Sequence, residues 1–334
     1  MPHVRTYALV LNWNGWADTV LCLESLLRSG AEDLRIVVWD NGSTDGSVER
    51  LVEWASGQRP PDPRLPQALL ALVSPPVPKP LPVSVITPDT ATAEHPLVVI
   101  RGRDNLGYAG GNNAAMRWAL AQADCAYLWL LNNDIVVATD AHAAMQATAR
   151  QDLHDRPVGT WVYYMDEPDR LQACGGQRLG HGPLVSPRYV DHPAAIDYLV
   201  GASIFLSRAR ASQLGWLNED YFLNAEDLEF TYPFKQRFAA LHPGEPAFLV
   251  AGRVWHREST TQSRDRYLHT YYYTRNLLYA AHKLGRLQGM VTLAHAVARL
   301  GFAAARGHRL AMRGIARGIH DWSAGVVGRH SPAR

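Results

Sequence analysis

The chain has 334 residues, of which 47% are hydrophobic, and a formal net charge of +2. This length allows one large α/β domain with an appendage, or two domains, and the small charge gives no reason to expect a nucleic-acid partner. The three cysteines lack the spacing of a metal site or a disulfide framework, as is typical of a reducing cytosol. No leader-like segment opens the chain, and no apolar run approaches the ~20 residues that cross a bilayer. We therefore expect a cytoplasmic protein, either soluble or peripheral on the inner face of the plasma membrane.

Strand-like and helix-like segments alternate at the start of the chain. Residues 7–11 and 34–39 are apolar runs typical of buried strands. Residues 17–28 and 47–54 carry apolar side chains at helical spacing. This β-α-β-α order predicts a mostly parallel sheet with right-handed crossovers and flanking helices.

A proline-rich stretch follows, with eleven prolines between residues 57 and 96. Proline removes backbone donors and interrupts helices and central strands. We interpret the stretch as an insertion on the surface, partly extended or disordered, and not as a domain. A lid or a partner-binding loop is the alternative interpretation.

A glycine-containing segment at residues 101–113 separates a strand at 97–100 from a helix at 114–121. Glycines before a helix let backbone N–H groups approach an anion, and the helix dipole favours the same ligand. The segment therefore predicts an anion-binding loop, with an ordinary loop and helix cap as the alternative.

An apolar run at residues 128–137 is interrupted by Asn132, Asn133 and Asp134. Such a run is typical of a strand buried on both faces at the centre of an α/β sheet. Ligands of these sheets bind at the carboxyl ends of the strands, where a carboxylate can hold a divalent cation and through it a phosphate. A simple turn is the alternative, since asparagine and aspartate are common turn residues.

Three acids, Glu226, Asp227 and Glu229, fall within four positions. Acids in the first turn of a helix are favoured by the helix dipole, and this capping role is one interpretation. A general base is the other, because a carboxylate beside a donor sugar can take a proton from an acceptor hydroxyl. Farther along the chain, a short strand at residues 248–256 ends at His256.

Taken together, these segments resemble an inverting glycosyltransferase of family 2 with the GT-A fold. The matching segments, in order, are residues 11–15, 40–47, 104–113, 131–134, 225–229 and 254–256. The closest subgroup comprises bacterial rhamnosyltransferase-like enzymes of surface polysaccharide assembly. The helix after their catalytic domain carries a motif similar to Tyr-Tyr-Thr-Arg-Asn at residues 272–276.

The resemblance covers roughly residues 4–50 and 97–285 and implies the architecture of the whole chain. A GT-A catalytic domain, with a Rossmann-like and mostly parallel central sheet, is expected at residues 1–262. A basic helical extension is expected at residues 263–334.

The resemblance also implies roles for single residues near the donor. Asp40 matches a carboxylate that contacts the base or ribose of the nucleotide, and Asn12 and Asn14 lie on the facing loop. Asn133 is expected near the ribose. The loop beside the nucleotide and pyrophosphate is matched by Asn105, Gly111 and Asn112.

The family's Asp-x-Asp element is matched by residues 132–134, so Asp134 is expected to hold Mg²⁺ or Mn²⁺. His256 resembles a histidine that helps hold the metal or the pyrophosphate, with a hydrogen-bonded histidine at a strand end as the alternative. Asp227 matches the catalytic base, and the adjacent Glu226 is the alternative base. Arg275 either closes over the donor diphosphate or ties the tail to the catalytic domain.

The implied reaction is one in-line displacement. An acceptor hydroxyl attacks the anomeric carbon, and a nucleoside diphosphate leaves. The implied donor is a dTDP- or UDP-sugar, with rhamnose suggested by the subgroup. The implied acceptor is a glycan or a lipid-linked glycan in cell-surface polysaccharide synthesis.

Two other functions stay open. A nucleotidyltransferase would share the nucleotide-binding half of the sheet, but it would carry a glycine-rich basic signature after the first strand, which residues 12–15 lack. A non-catalytic nucleotide-sugar-binding or scaffolding protein would be compatible with the amides Asn132 and Asn133.

The tail from Leu277 onward carries nine lysines and arginines and one acid, Asp321. Apolar residues interleave with them, among them Leu293, Val297 and Phe302. A basic amphipathic helix of this kind can lie on an anionic membrane surface, close to a lipid-linked acceptor. The alternative is a solvated basic face on helices that pack against the catalytic domain or a second subunit in an oligomer.

Overall fold

The structure is a computed structural model, and it describes residues 4–62, 64–177, 188–257 and 266–330. Strands and helices alternate through most of this length. The strands are β1 (Arg5–Asn12), β2 (Leu34–Asp40), β3 (Val83–Ile86), β4 (Leu97–Arg101), β5 (Cys125–Asn132), β6 (Ile135–Val137), β7 (Val158–Tyr164), β8 (Leu171–Ala173), β9 (Gly175–Gln177), β10 (Arg188–Val190), β11 (Ser203–Ser207) and β12 (Leu249–His256). The helices are α1 (Trp16–Leu27), α2 (Ser47–Ser56), α3 (Gly107–Leu120), α4 (Ala141–Gln151), α5 (Arg208–Leu214), α6 (Glu226–Leu241), α7 (Arg266–Leu284), α8 (Arg286–Ala305) and α9 (Arg309–Ser323).

One large sheet organises the part of the chain before α7. Strands β3, β4, β2, β1 and β5 lie side by side in parallel. β11 pairs antiparallel with β5 and β7, and β12 runs parallel to β7. The predicted α/β class with a mostly parallel sheet is confirmed. Because β1 alternates between the two faces, Leu9 packs into one hydrophobic core and Val10 into the other.

The register brings polar residues together at one edge of the sheet. Asn12, the last residue of β1, lies opposite Asp40 of β2, and Leu11 lies opposite Asn132 of β5. The carboxyl ends of these parallel strands therefore form a common edge, where α/β folds bind ligands.

β6 is separated from β5 by only two residues, yet the two strands lie on opposite sides of three other strands in the sheet. β6 pairs antiparallel with β12, and Ile135 lies opposite His256. The step from β5 to β6 thus carries Asn133 and Asp134 across the edge of the sheet to the end of β12. Residues 128–137 form one interrupted apolar run in the sequence. That pattern does not predict that β6 pairs with β12 instead of continuing β5.

The helix after β4 begins at Gly107, seven residues before the predicted start at 114. The predicted loop is therefore helical from Gly107 onward, so the predicted helix start at 114 is wrong, and anion binding by this segment stays a prediction. Close packing explains the glycines: a Cβ on Gly111 would lie 2.5 Å from Leu11 Cδ1 and 3.1 Å from Asn41 Oδ1. Glycine lets α3 approach the end of β1.

The proline-rich segment at 57–96 has more structure than the sequence predicts. It contains a 3-10 helix, Gln67–Leu72, and the strand β3, which pairs in parallel with β4 at the edge of the sheet. Leu69 and Val73 are buried beside Leu21 of α1. Proline is tolerated at an edge strand, because one side of that strand needs no backbone donors.

The predicted C-terminal helical extension is present as α7, α8 and α9, which pack against one another. The predicted boundary between residues 262 and 263 lies outside the described residues. Leu277 and Ala281 of α7 pack against Tyr221 and Leu228 of the catalytic part. Within the described ranges, no helix is long and apolar enough to cross a membrane.

Candidate active site

Asn12 and Asp40 form a buried hydrogen-bonded pair at the ends of β1 and β2. Asn12 Nδ2 donates to Asp40 Oδ1 at 2.8 Å, and Thr19 Oγ1 donates to Asn12 Oδ1 at 2.8 Å. The backbone N–H of Ser43 donates to Asp40 Oδ2 at 3.1 Å. Asn12 is fully buried and holds Asp40 in place, and its predicted place beside the nucleotide stays a prediction. The predicted donor contact of Asp40 remains a prediction.

Asn14 joins the two loops above this pair. Its Oδ1 accepts a hydrogen bond from the backbone N–H of Thr44 at 2.8 Å, and its own N–H donates to Ser43 Oγ at 2.9 Å. Asn14 has φ +50°, a conformation that asparagine tolerates better than most residues. It is partly exposed and lies at the predicted edge of the sheet.

Asn41, which the sequence analysis did not single out, organises the loop before α3. Its Nδ2 donates to Asn105 Oδ1 at 3.1 Å and to the Gly107 carbonyl at 3.0 Å. Its Oδ1 accepts from the N–H of Leu106 at 3.1 Å. Asn105 Oδ1 thus accepts two hydrogen bonds, because the Gly107 N–H also donates to it at 2.9 Å. The position of Asn41 directly after Asp40 was the only signal in the sequence.

Gly111 and Asn112 lie on the packed side of α3. Both are buried, and Asn112 Nδ2 donates to the Tyr108 carbonyl one turn earlier, at 3.0 Å. The early start of α3 makes both residues helix-packing positions. Their predicted contacts with the pyrophosphate stay a prediction.

Asp134 and His256 form a candidate cation site. Asp134 Oδ1 lies 3.3 Å from His256 Nε2, and in the described part of the chain it is buried with no hydrogen-bond donor. Gln172 Oε1 lies 3.1 Å from His256 Nδ1. An amide oxygen can only accept, so the ring proton belongs on Nδ1 and the lone pair of Nε2 faces Asp134.

A carboxylate oxygen and an imidazole lone pair that face each other fit a divalent cation between them. When His256 carries a second proton, the same contact is an ion pair. The neighbouring Asn132 Nδ2 lies 3.4 Å from His256 Nε2. Asn133 turns the other way, and its Nδ2 donates to the Gly15 carbonyl at 3.1 Å. The predicted contact of Asn133 with a ribose stays a prediction.

The two adjacent acids of α6 differ in their partners. Asp227 Oδ2 accepts from the N–H of Gly201 at 3.0 Å, and its Oδ1 accepts from the N–H of Leu228 at 2.8 Å. Glu226 Oε2 is buried and has no hydrogen-bond partner among the residues that the structure describes. Both carboxylate oxygens of Asp227 are therefore hydrogen-bonded, whereas Glu226 Oε2 is not.

Burial gives both acids an unusual affinity for protons. Burial and the charge of Asp227 raise the pKa of Glu226 from 4.5 to about 8. Burial also raises the pKa of Asp227, although the backbone N–H groups of Gly201 and Leu228 oppose that rise. At neutral pH Glu226 thus carries a proton, and Asp227 is the better candidate for an ionised base.

Tyr108 lies beside Gly201, whose N–H binds Asp227, and the sequence predicted no role for it. Its hydroxyl donates to the Gly201 carbonyl at 2.5 Å. Burial raises the pKa of Tyr108 well above its ordinary range, and the charges of Glu226, Asp227 and Asp134 add to the rise. A Cβ on Gly201 would lie 2.8 Å from the Tyr108 hydroxyl, so only glycine fits here. The Tyr108 hydroxyl therefore lies beside Gly201, the residue whose N–H binds Asp227.

The backbone before the acid pair is strained. Phe222, Asn224 and Ala225 have φ values of +60°, +71° and +72°. Each non-glycine residue in this region costs on the order of 1–3 kcal/mol, so the surrounding structure must hold it. The strain ends at Glu226, where α6 begins.

Asn276 of α7 holds this strained segment. Its Nδ2 donates to the backbone oxygens of Tyr221, Leu223 and Asn224 at 2.8, 2.6 and 3.0 Å. Asn276 is fully buried. The first tail helix therefore sets the path of the chain into the acid pair.

Arg275 beside it is also fully buried. Its Nη2 donates to the carbonyls of Asp220 and Tyr221, each at 3.1 Å, and its Nη1 donates to the carbonyl of Gly328 at 2.9 Å. These bonds direct the guanidinium into the protein. We therefore replace the predicted contact between Arg275 and the donor diphosphate with the alternative, a tie between the tail and the catalytic domain.

No protein-family model matches the chain. Its similarity to a curated protein, the low-salt glycan biosynthesis hexosyltransferase Agl10 of Haloferax volcanii, is 24% identity over 132 residues. That alignment covers 38% of this chain and 43% of the relative, so the chain matches less than half of the relative's length.

Two solved structures are similar to the chain at low sequence identity. GalNAc-T7, crystallised with UDP, GalNAc and Mn²⁺, is 13% identical, with a TM-score of 0.50 over 78% of this chain and 45% of that one. The mannosyltransferase PcManGT of Pyrobaculum calidifontis, solved with GDP-Man and Mn²⁺, is 12% identical, with a TM-score of 0.47 over 96% and 87% of the two chains. The likeness to GalNAc-T7 identifies the fold: this chain has the GT-A fold.

Proposed function

We propose that this protein is an inverting, metal-dependent glycosyltransferase of family 2. The supporting observation is the convergence of two acidic sites at one edge of the sheet. Asp134 faces the lone pair of His256 just after β5, and Asp227 accepts from the N–H of Gly201, next to the Ala202 carbonyl that accepts from the Asn132 N–H at the end of β5. An in-line displacement needs charge stabilisation at the leaving group and a base at the acceptor. The names of the hexosyltransferase relative and of GalNAc-T7 with UDP and Mn²⁺ agree with this proposal.

Asp227 would act as the base. Its two oxygens are held by the N–H groups of Gly201 and Leu228, which orient the carboxylate and favour its ionised form. It would accept the proton of the acceptor hydroxyl while the acceptor oxygen bonds to the anomeric carbon. The bond from that carbon to the donor diphosphate breaks at the same time. Glu226, protonated at neutral pH, would keep a second negative charge away from Asp227.

Asp134 and His256 would hold Mg²⁺ or Mn²⁺. When bound, the cation would stabilise the negative charge that develops on the leaving diphosphate, as a Lewis acid. Asp134 Oδ1, buried and without a hydrogen-bond donor in the described ranges, is the atom that such a cation would satisfy.

The donor and acceptor follow from the resemblance stated above. We propose a dTDP- or UDP-sugar as the donor, with rhamnose as the first sugar to test. The proposed acceptor is a hydroxyl of a glycan or lipid-linked glycan in cell-surface polysaccharide synthesis. The proposed division into a catalytic domain at 1–262 and a tail at 263–334, and a cytoplasmic location, belong to the same proposal.

The first test combines binding and turnover. A thermal-shift series with UDP-, dTDP- and GDP-sugars, each with and without Mn²⁺, should give a metal-dependent shift for one nucleotide class. The Asp227→Asn variant should keep that shift and lose transfer by about 10²–10⁴-fold, because general-base catalysis contributes that much.

Glu229→Gln is the matched control. Glu229 lies in the same first turn of α6 but forms an ion pair with Lys283 at 2.6 Å, outside the acid pair. This variant should keep both donor binding and transfer. Unchanged transfer in Asp227→Asn would disprove the assigned base, and a metal-dependent shift without any transfer would favour a non-catalytic nucleotide-sugar-binding protein.

A further inference from the structure

Helix α8 has an exposed face that is wholly apolar. Its side chains recur every three or four positions along the helix and include no charged residue. The face consists of Leu287, Met290, Ala294, Val297, Ala298, Gly301, Phe302 and Ala305. Leu287, Met290, Val297 and Phe302 are 55%, 64%, 53% and 58% exposed. This set is called the α8 apolar face below.

The fully buried positions on the opposite face of α8 are small residues, and Leu300 is partly buried between α8 and α9. Gly289, Thr292, Ala296 and Ala303 are the buried positions of the helix. A helix of a water-soluble bundle turns its large apolar residues inward. Here the helix buries glycine, threonine and alanine and leaves leucine, methionine, valine and phenylalanine outside. Contiguous exposed apolar surface of this kind indicates a contact with another molecule or a membrane.

The tail confirms only part of the expected amphipathic pattern. Of the apolar residues interleaved with the arginines, Ile315 is buried and Leu300 and Met312 pack beside it, between α8 and α9. Val297 and Phe302 are exposed. The sequence thus predicts amphipathicity, and the structure decides which apolar side chains are free to bind.

Positive charge flanks the α8 apolar face. Arg286 lies at its start, and Arg306, Arg309 and Arg313 lie beyond its end, all exposed. The guanidinium of Arg306 lies 4.7 Å from the ring centre of Phe302. Arg306 therefore places a cation beside the C-terminal end of the apolar face.

Negative charge is nearly absent from this part of the chain. Residues 285–330 contain seven arginines and one acid, Asp321. Asp321 is 1% exposed and is bonded to Arg317 and Tyr271. The arginines of this surface therefore lack exposed acids beside them in the sequence, and charge complementarity favours a negatively charged partner.

We propose that the α8 apolar face lies in the interfacial layer of an anionic lipid bilayer. The helix has 20 residues, about 30 Å at 1.5 Å per residue. A basic amphipathic helix of that length lies in the plane of a membrane, with its apolar face among the acyl chains and its arginines at the lipid phosphates. A second copy of the chain fits less well, because a symmetric contact would bring the arginines of both copies together.

Membrane attachment through α8 narrows the acceptor to one presented at a lipid surface, and in that respect it rests on the proposed function. α8 packs on α7, whose Asn276 holds the strained segment before Asp227. The membrane-bound helix is therefore joined to the acid pair through one intervening helix.

The test measures binding of the full chain to vesicles of phosphatidylglycerol and phosphatidylcholine, with phosphatidylcholine alone as the neutral comparison. The wild-type protein should float with the anionic vesicles and be released by high salt, which screens the arginines. The triple variant Met290→Glu, Val297→Glu, Phe302→Glu should bind at least about tenfold more weakly, since it removes the apolar contact and adds negative charge.

A matched control carries the same chemical change elsewhere. Leu153 and Leu241 are 95% and 76% exposed and lie in the catalytic part. The double variant Leu153→Glu, Leu241→Glu should bind vesicles like the wild type. All of the changed residues are exposed, so both variants should keep the thermal stability of the wild type.

Three outcomes would overturn the inference. The first is a wild-type protein that ignores anionic vesicles, and the second is a triple variant that binds as well as wild type. The third is a wild-type dimer that the triple variant converts to a monomer without any change in vesicle binding. Donor binding is measured separately by thermal shift, so a protein that binds vesicles but no nucleotide sugar would disprove the proposed function and leave the membrane contact intact.

Discussion

The two halves of the candidate site differ in how their polar atoms are satisfied. On the side of β1, β2 and α3, the buried amides Asn12 and Asn41 are bonded within the protein at both ends of the side chain. On the side of β6 and α6, Asp134 Oδ1 and Glu226 Oε2 have no hydrogen-bond partner among the described residues.

This difference separates the residues that hold loops in place from those that are candidates for binding and catalysis. A buried polar atom without a partner costs free energy, so it persists where a ligand, a metal or a proton completes it. Asn12 and Asn41 already have their partners and hold loops in place. The acid side is incomplete and also follows a strained segment at 222–225. We expect substitutions on the acid side to change activity most and those on the amide side to change stability most.

The largest expected effect is at the cation site. Asp134→Asn removes the negative charge that faces His256. Metal-dependent donor binding should be lost, and transfer should fall by about 10²–10³-fold, the range found when one electrostatic stabiliser is removed. Isothermal titration of donor with and without Mn²⁺ measures the first effect. Asp140→Asn, at an exposed position before α4, is the control and should bind like wild type.

The next effect tests the link between tail and acid pair. Asn276→Ala leaves the carbonyls of Tyr221, Leu223 and Asn224 without their shared donor. The free energy of unfolding should fall by about 2–4 kcal/mol, and transfer should fall with it. Urea denaturation measures the stability.

Lys283→Ala on the same helix is its control. Lys283 is 52% exposed in its ion pair with Glu229, and a surface pair contributes at most about 1 kcal/mol. Equal losses in the two variants would mean that Asn276 has no special role in holding the segment.

A smaller effect tests the amide side. Gly111→Ala places a methyl group 2.5 Å from Leu11 Cδ1, and such overpacking costs about 1–3 kcal/mol. Donor affinity at saturating Mn²⁺ should change little. Gly301→Ala makes the same change where no atom lies within 4 Å, and it should stabilise α8 by about 0.5–1 kcal/mol. Thermal unfolding of both variants gives the comparison, and opposite signs are expected.

The smallest effect is a pH dependence. The pKa of Glu226 in the folded protein, about 8, lies above the ordinary 4.5. The stability that comes from its bound proton is therefore fully present below pH 4.5 and is lost as the pH rises to about 8. For the metal-free protein, the free energy of unfolding should therefore have a negative slope against pH in this window. Glu226→Gln should flatten it, and an identical slope in the variant would exclude Glu226 as its source.

Much of the fold follows from local sequence patterns. The strands β1, β2 and β4 and the helices α1 and α2 agree with their predicted positions within a few residues. Apolar runs and helical spacing are properties of neighbouring residues, so they can be recognised without the fold. The start of α3 at Gly107 is different, because the glycines there serve contacts with Leu11 and Asn41, which are distant in sequence.

The residues of the candidate site also differ in whether the sequence alone reveals them. Asp40, Asp134, Asp227 and His256 stand out in the sequence because polar residues end apolar runs or cluster before a helix. Tyr108 and its neighbour Gly201 do not stand out, since a tyrosine in a motif and a glycine in a strand have many structural uses. Their importance appears only when the Tyr108 hydroxyl is found bonded to the carbonyl of Gly201, whose N–H holds Asp227.

By itself, the sequence determined the order of the elements, the parallel class of the sheet and the polar ends of its central strands, because these depend on short-range periodicity. The tertiary structure decided that β6 leaves β5 to pair with β12, which brings Asp134 to His256. It also decided that Arg275 faces inward and that α8 exposes its large apolar side chains. Register, burial and the choice of packed face depend on contacts between distant residues, and no local pattern encodes them.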